Sequence, residues 1–244
     1  MKIHVLENYE EMSVAVANYI SAHVQISPES MISLPSGDSP TGALKRLVEY
    51  ANAGKVDFSR CEFVGLDEWV GMGRDDEGSC QHYVYAHFFI PLTIPAAHVH
   101  FFDARAKDLK AECKKINDYL SSKGPLDLVM VGVGLNGHIG LNEPGTSFDA
   151  RAHYGPLAQM TIDTGQKYFS ETTKLEQGIT LGIQNFMEAR TVIVIASGEK
   201  KARIIRDIIE GPITESVPGS VLQRHPHVLF FLDKAAASQL TLNT

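Results

Sequence analysis

Cysteine is scarce in this chain, basic charge does not predominate, and no apolar run is long enough to span a membrane. Each absence closes a class of function. The three cysteines, Cys61, Cys80 and Cys113, are scattered, odd in number and without CxxC spacing. Neither a disulfide framework nor a thiolate zinc site is expected, and all three are read as reduced thiols. Lys and Arg total 22 against 29 Asp and Glu, a formal net charge of -7. Broad binding to nucleic acid or to an anionic membrane needs a basic surplus, so neither is expected as a partner. One small anion is still allowed, because a few backbone N–H groups and a single lysine make a local positive site. A run of about 18 apolar residues is missing, and the opening MKIHVLENYEEM carries acids where a signal peptide would have its apolar core. The expected location is cytoplasmic. The ten histidines include no HxxxH on a helix and no Cys/His cluster of zinc spacing, so no metal site is expected, and the GxSxG elbow of a serine hydrolase is missing too.

What is present reads as a globular α/β chain. The 44% hydrophobic and 21% charged composition excludes disorder, collagen and coiled coil, and 244 residues suit one domain, 1–244, better than two. Short runs rich in Val, Ile, Leu and Phe alternate with segments of helical spacing, the pattern of a doubly wound, mostly parallel sheet with helices on both faces. The predicted strands are Lys2 to Leu6, Met31 to Leu34, Glu62 to Leu66, His98 to Phe102, Leu126 to Val133, Thr191 to Ala196 and His227 to Leu232. The predicted helices are Tyr9 to His23, Thr41 to Ala53, Gln81 to Phe89, Lys107 to Lys123, Gln184 to Glu188 and Lys200 to Glu210. Leu126 to Val133 is almost wholly apolar, as a central strand covered on both faces should be. Glu143 to Lys174, with its Gly, Pro, Thr and Ser, reads as a long loop or lid.

Ligands of such sheets bind beyond the carboxyl ends of the strands, so four loops there carry the chemistry. Ser33 to Gly42 runs through small residues into a helix, and its N–H groups suit a phosphate. An ordinary turn with Ser39 as cap and Pro40 at the first helical position fits the same residues. In Gly65 to Gly71, two acids follow a buried strand. Burial raises a carboxyl toward the range of a proton acceptor, while capping a helix or pairing with an Arg remains the structural alternative. The third loop, Val131 to Gly145, is rich in glycine and carries His138 and Glu143, close enough for a carboxylate to orient the imidazole. Gly132, Gly134 and Gly137 match GxGxxG only formally, because Asn142, Pro144 and Gly145 follow where a dinucleotide fold would continue its helix. In Ser197 to Ala202, Lys200 and Lys201 begin a helix whose dipole opposes them unless an anion binds there. Together the loops point to acid–base work on a small phosphorylated substrate, with no cofactor.

The stretches LPSGDSPTG, VGLDEWVG, GVGLNGHIGLNEPGTSF, ITLGI, SGEKKA and VPGSVLQRHPHV occur in the order and spacing of one family. Along nearly its whole length the chain resembles the glucosamine-6-phosphate deaminases (isomerases). The resemblance implies a Rossmann-like fold and conversion of an amino-sugar phosphate and water to fructose 6-phosphate and ammonia. By position, Asp67 matches the general base that takes the C2 proton of the opened sugar and returns it at C1. His138 matches the residue that opens the pyranose ring, with Glu143 and Asn136 setting its state. Ser36, Gly37, Asp38 and Ser39 match the phosphate loop, Lys201 a phosphate-binding lysine, and Lys167 a phosphate-binding Arg on the mobile segment. The implied partner is the small amino-sugar phosphate; monomer, dimer and larger homo-oligomer all stay open.

Three positions depart from the family pattern. Asn136 stands where many members have Asp, leaving Glu143 as the one carboxylate beside His138. Asp38 replaces a small residue, often Gly; pointing inward it would repel a phosphate, so it points away or the substrate is unusual. Trp69 stands where the glucosamine enzymes usually carry Tyr, and LDEWV with GLNGHIGLNEPG is at least as similar to the galactosamine-6-phosphate branch, whose product would be tagatose 6-phosphate. A 6-phosphogluconolactonase would show a GxDGHTAS-like stretch in place of GLNGHIGLNEPG. A sugar-phosphate sensor would carry a helix-turn-helix and would have lost the base or the His. The positions matching the activator-binding Arg and Lys of allosteric members fall near His153 and Gly155. The expected outcome is therefore no activation by N-acetylglucosamine 6-phosphate; a rate increase at subsaturating substrate would overturn that reading.

Overall fold

The computed structural model describes residues 1–241. Its larger sheet is wholly parallel and runs β1 (Lys2–Leu6), β10 (Val228–Asp233), β9 (Val192–Ala196), β6 (Leu128–Val131), β2 (Met31–Ser33), β3 (Glu62–Val64) and β5 (Val99–His100). The apolar run predicted as central is the middle strand, with all four residues buried. Its alternation assigns the faces: Leu128 and Met130 pack on one side, Val129 and Val131 on the other. β9 repeats this with Ile193 and Ile195 against Val192, Val194 and Ala196. The fold is α/β, Rossmann-like and doubly wound.

On the first face lie α1 (Tyr9–Ile26) and α2 (Asp38–Asn52). Helix α1 starts where the Asn8 side chain accepts from the Glu11 N–H at 3.0 Å, and it buries Met12, Val16, Ala17, Ile20 and Val24. The two helices meet closely at Gly42, where a Cβ would lie 2.3 Å from Ser13 Oγ. On the second face, α4 (Leu109–Lys123) is capped by Asp108, which accepts from the Ala111 N–H at 3.0 Å. The same face carries α6 (Ile183–Glu188), α7 (Ala202–Ile209) and α8 (Lys234–Ala237).

The structure departs from the sequence reading in four places. A second, antiparallel sheet forms from β4 (Asp67–Trp69), β8 (Gln177–Thr180) and β7 (His153–Pro156). Its strands have only three or four residues and pair with partners far along the chain, so no local periodicity announces them. The segment read as loop, 143–174, contains β7, α5 (Gln159–Gly165) and a 3-10 turn, Gln166–Tyr168. Helix α2 begins at Asp38 rather than Thr41, with Gly37 at φ 109° as its cap in place of Ser39. Pro40 falls in the first turn, where its missing N–H costs nothing. The predicted helix over Gln81–Phe89 divides into α3 (Cys80–Val84) and a π-turn, Tyr85–Phe89. Among the described residues no helix is long and apolar enough to cross a membrane.

A buried histidine ties the segments that enter β9 and β10. His225 is 2% exposed, its Nε2–H donates to the Ala189 carbonyl at 2.9 Å, and its Nδ1 accepts from the His227 N–H at 3.1 Å. Burial holds its pKa below the usual value, so the unfolded chain takes up the proton first. Stability present above about pH 6.5 is therefore lost as the pH falls. The urea midpoint should drop between pH 7 and pH 5.5, and His225→Gln should shrink that drop; an unchanged slope would remove His225 from the account.

Candidate active site

The chain leaves β6 through a tight glycine turn. Gly134 N–H donates to the His138 carbonyl and Gly137 N–H to the Gly134 carbonyl, both at 3.0 Å, and Gly137 sits at φ 86°. The His138 ring lies on Gly134, where a Cβ would come within 2.3 Å of Cε1, so only glycine leaves room for the ring. Nδ1 of His138 is 3.2 Å from Thr161 Oγ1 of α5 and 3.6 Å from Glu143 Oε2. Asn136 bridges the pair: its Nδ2 donates to Glu143 Oε2 at 2.8 Å, and its Oδ1 accepts from the His138 N–H at 3.2 Å. The Ala158 N–H donates to Glu143 Oε1 at 3.2 Å. Burial works to raise the Glu143 pKa, but His138, Thr161 and Asn136 outweigh it and hold the carboxyl down at about 2. The Glu143 carboxylate and the Thr161 hydroxyl thus both face the Nδ1 edge of the ring.

Asp67 and Glu68, adjacent in sequence, have opposite employment. Glu68 is fully buried and accepts the N–H groups of Trp69, Cys80 and Gln81 at 2.9, 3.0 and 2.8 Å. It caps α3, the structural alternative foreseen for one member of the pair. Asp67 has no such set of donors. Burial, reinforced by the Glu68 charge and opposed by the Cys80 thiol, pushes its carboxyl up to about 7. The same thiol meets the Ser36 hydroxyl, which connects Asp67 to the loop before α2. Trp69 is buried, donates from Nε1 to the Gly78 carbonyl at 3.3 Å and packs its ring against Gly165.

The third group gathers at the start of α2. Lys167 Nζ donates to Asp38 Oδ2 at 2.5 Å, and the Asp38 side chain stays 73% exposed. Tyr168 lies over Gly37, its hydroxyl 3.0 Å from where a Cβ would stand. Lys201 Nζ donates to the Val133 carbonyl at the head of the His138 turn. Burial first, and the charge of Lys167 second, lower the Lys201 pKa to about 8, with Asp38 acting against them. Lys201 thus links the cationic group to the histidine turn. Lys200 and Lys201 lie in a 3-10 turn, Glu199–Lys201, ahead of α7.

The loops therefore bring Asn136, His138 and Glu143 into one group, Asp67 and Ser36 around Cys80 into a second, and Asp38, Lys167 and Lys201 with Gly37 into a third. Sequence reasoning missed Thr161, Tyr168 and Cys80. The first two sit in the segment read as loop, where a helix would have suggested a fixed side chain; Cys80 was read only as a reduced thiol.

The family model for glucosamine-6-phosphate isomerases/6-phosphogluconolactonase matches residues 7–230. Over 239 residues the chain is 35% identical to the glucosamine-6-phosphate deaminase of Thermoanaerobacter pseudethanolicus, covering 98% of this chain and 94% of that one. A solved monomeric glucosamine-6-phosphate deaminase superposes with a TM-score of 0.95 at 32% identity, over 98% of this chain and all (100%) of the other. The 6-phosphogluconolactonase of Trypanosoma brucei gives a TM-score of 0.79 at 22% identity, over 98% of each chain, a likeness of fold alone.

The burial of Asp67 has a measurable cost. Its folded pKa lies above its unfolded one, so the folded chain holds a proton that the unfolded chain releases, and stability falls as the pH rises toward 7. Asp67→Asn should melt higher than the parent at pH 8, with a smaller gain at pH 5.5. A gain that does not change with pH would show that the carboxyl is not strained by burial.

Proposed function

The chain belongs to the glucosamine-6-phosphate isomerase/6-phosphogluconolactonase family, and from that premise we propose that it is an amino-sugar-phosphate deaminase turning glucosamine 6-phosphate and water into fructose 6-phosphate and ammonia. The observation that carries the reading is geometric: the buried Glu143 carboxylate, held by Asn136 and the Ala158 N–H, stands 3.6 Å from His138 Nδ1, while the Asp67 carboxyl is buried beyond β3, where burial pushes it up to about 7.

His138 moves a proton to the ring oxygen as the C1 hydroxyl loses one, and the pyranose opens to the aldehyde. Asp67 takes the C2 proton, which the C1 carbonyl and the C2 nitrogen make labile, and the charge spreads over an enolamine. Asp67 returns the proton at C1, giving an imine at C2. Water adds to C2 and ammonia leaves, so the carbon skeleton keeps its phosphate and gains the water oxygen. The Ser36–Ser39 loop, the start of α2 and Lys201 receive the phosphate, with Lys167 approaching from the 143–174 segment, which acts as a lid on a single 1–244 domain. The reaction runs in the cytoplasm on a free sugar phosphate.

The Asn-Glu-Pro continuation supports a deaminase over a lactonase. Asn142 is fully buried and donates from Nδ2 to the Ile139 and Leu181 carbonyls, both at 2.8 Å, which pins the turn that delivers Glu143 to His138.

Ammonia release should be measured from glucosamine 6-phosphate and galactosamine 6-phosphate side by side, with 6-phosphogluconolactone hydrolysis as the control. Turnover is expected with glucosamine 6-phosphate, with an acid limb of kcat/KM near pH 7 because Asp67 must be ionised to accept the proton. Asp67→Asn should lower the rate by about 10²- to 10⁴-fold. Turnover of the galactosamine epimer alone would change the sugar, and lactone hydrolysis without ammonia would overturn the reaction.

A further inference from the structure

A carboxylate is out of place in a loop meant for a phosphate, and here it is paired. Asp38 Oδ2 accepts from Lys167 Nζ at 2.5 Å across 129 residues of sequence. The pair joins the first turn of α2 to the Gln166–Tyr168 turn. A second contact repeats the join, because Tyr168 lies over Gly37, with Lys167 Nζ 4.9 Å from the Tyr168 ring centroid. The backbone beneath is fixed independently. The Tyr9 hydroxyl donates to the Asp38 carbonyl at 2.9 Å and accepts from the Gly42 N–H at 2.7 Å, so the Asp38 side chain can move without carrying the loop along. That side chain is 73% exposed and Lys167 47%, which leaves room to part. The negative group stands at the N-terminal end of α2, where the helix favours an anion.

We propose that Asp38 is the internal counter-ion of the phosphate site: its carboxylate occupies Lys167 in the free protein and is displaced when the substrate phosphate arrives. This rests on the deaminase reading for the assignment of the loop to phosphate. A dianionic phosphate outbids a monoanionic carboxylate for one ammonium, but it must first break the existing pair. The displacement costs free phosphate and substrate alike, but only the substrate has sugar contacts to offset it, so Asp38 sets how tightly the site holds the phosphate group itself. An ion pair this exposed is a weak one, so the effect is modest, up to about fivefold.

The test is calorimetric titration of inorganic phosphate, at pH 8 and low salt, into the parent, Asp38→Asn, Asp38→Ser, Lys167→Met and the double variant Asp38→Asn/Lys167→Met, with melting curves to verify folding. Both Asp38 variants should bind phosphate about two- to fivefold tighter than the parent, Lys167→Met should bind it more weakly, and the Asp38→Asn gain should vanish in the Lys167→Met background. Equal or weaker binding by the Asp38 variants would overturn the proposal. So would a gain that survives the loss of Lys167, or no phosphate binding by any of the proteins. Ammonia release from glucosamine 6-phosphate by the same parent sample separates the two readings. Tighter phosphate binding in Asp38→Asn with no ammonia from the parent removes the deaminase and keeps the counter-ion; the reverse removes the counter-ion alone.

Discussion

The site depends on one backbone junction. At Leu66 the chain leaves the parallel sheet, and the Leu66 carbonyl accepts the Leu181 N–H at 2.8 Å. One residue later Asp67 pairs with Thr180 in the antiparallel sheet. The bond satisfies a polar group that would otherwise be buried unpaired, and it joins the two sheets at the carboxyl end of the parallel one. Thr180 tightens the junction, since its hydroxyl accepts the Leu141 N–H at 3.1 Å. The turn that carries His138 and the strand that carries Asp67 are therefore held by the same few residues.

Environment, not residue type, sets the chemistry of the acids. Glu68, Asp67 and Glu143 are all buried. Glu68 meets three N–H donors and is a structural cap, yet burial still raises it; Asp67 is raised by burial and the Glu68 charge against the Cys80 thiol; Glu143 meets an imidazole, a hydroxyl and an amide that outweigh burial, and falls. A base that must both take and return a proton works best near the ambient pH, whereas a carboxylate that orients an imidazole should not titrate at all. The protein obtains both from the same functional group through the balance of burial against the partners each one meets, an imidazole among them for Glu143 only. Asn136 fits this arrangement. Donating to Glu143 from one end and accepting from the His138 backbone at the other, it fixes the geometry without adding a charge.

The cationic group is arranged by the same logic. Lys201 is partly desolvated and lies near a second ammonium, so its pKa falls to about 8, and a negative ligand would relieve both costs. Lys167 is more exposed and already has a carboxylate partner.

Much of this was legible in order along the chain. The apolar run at 126–133 announced a central strand because both of its faces are buried, and the glycines after it announced a backbone that must turn sharply. The acids after β3 and the His138–Glu143 spacing marked candidate positions, with capping an equal alternative for the acids, and Glu68 takes that alternative. The second sheet, α5 within 143–174, the true start of α2 and the partners Thr161, Tyr168 and Cys80 were not legible, because each depends on a contact between segments distant in sequence. Sequence by itself determined the α/β layering and which residue types stand at the strand ends, through periodicity and local turn chemistry. Only the tertiary structure decided that Glu68 rather than Asp67 caps α3, and that Asp38 faces Lys167, because burial and hydrogen-bond partners belong to the assembled chain.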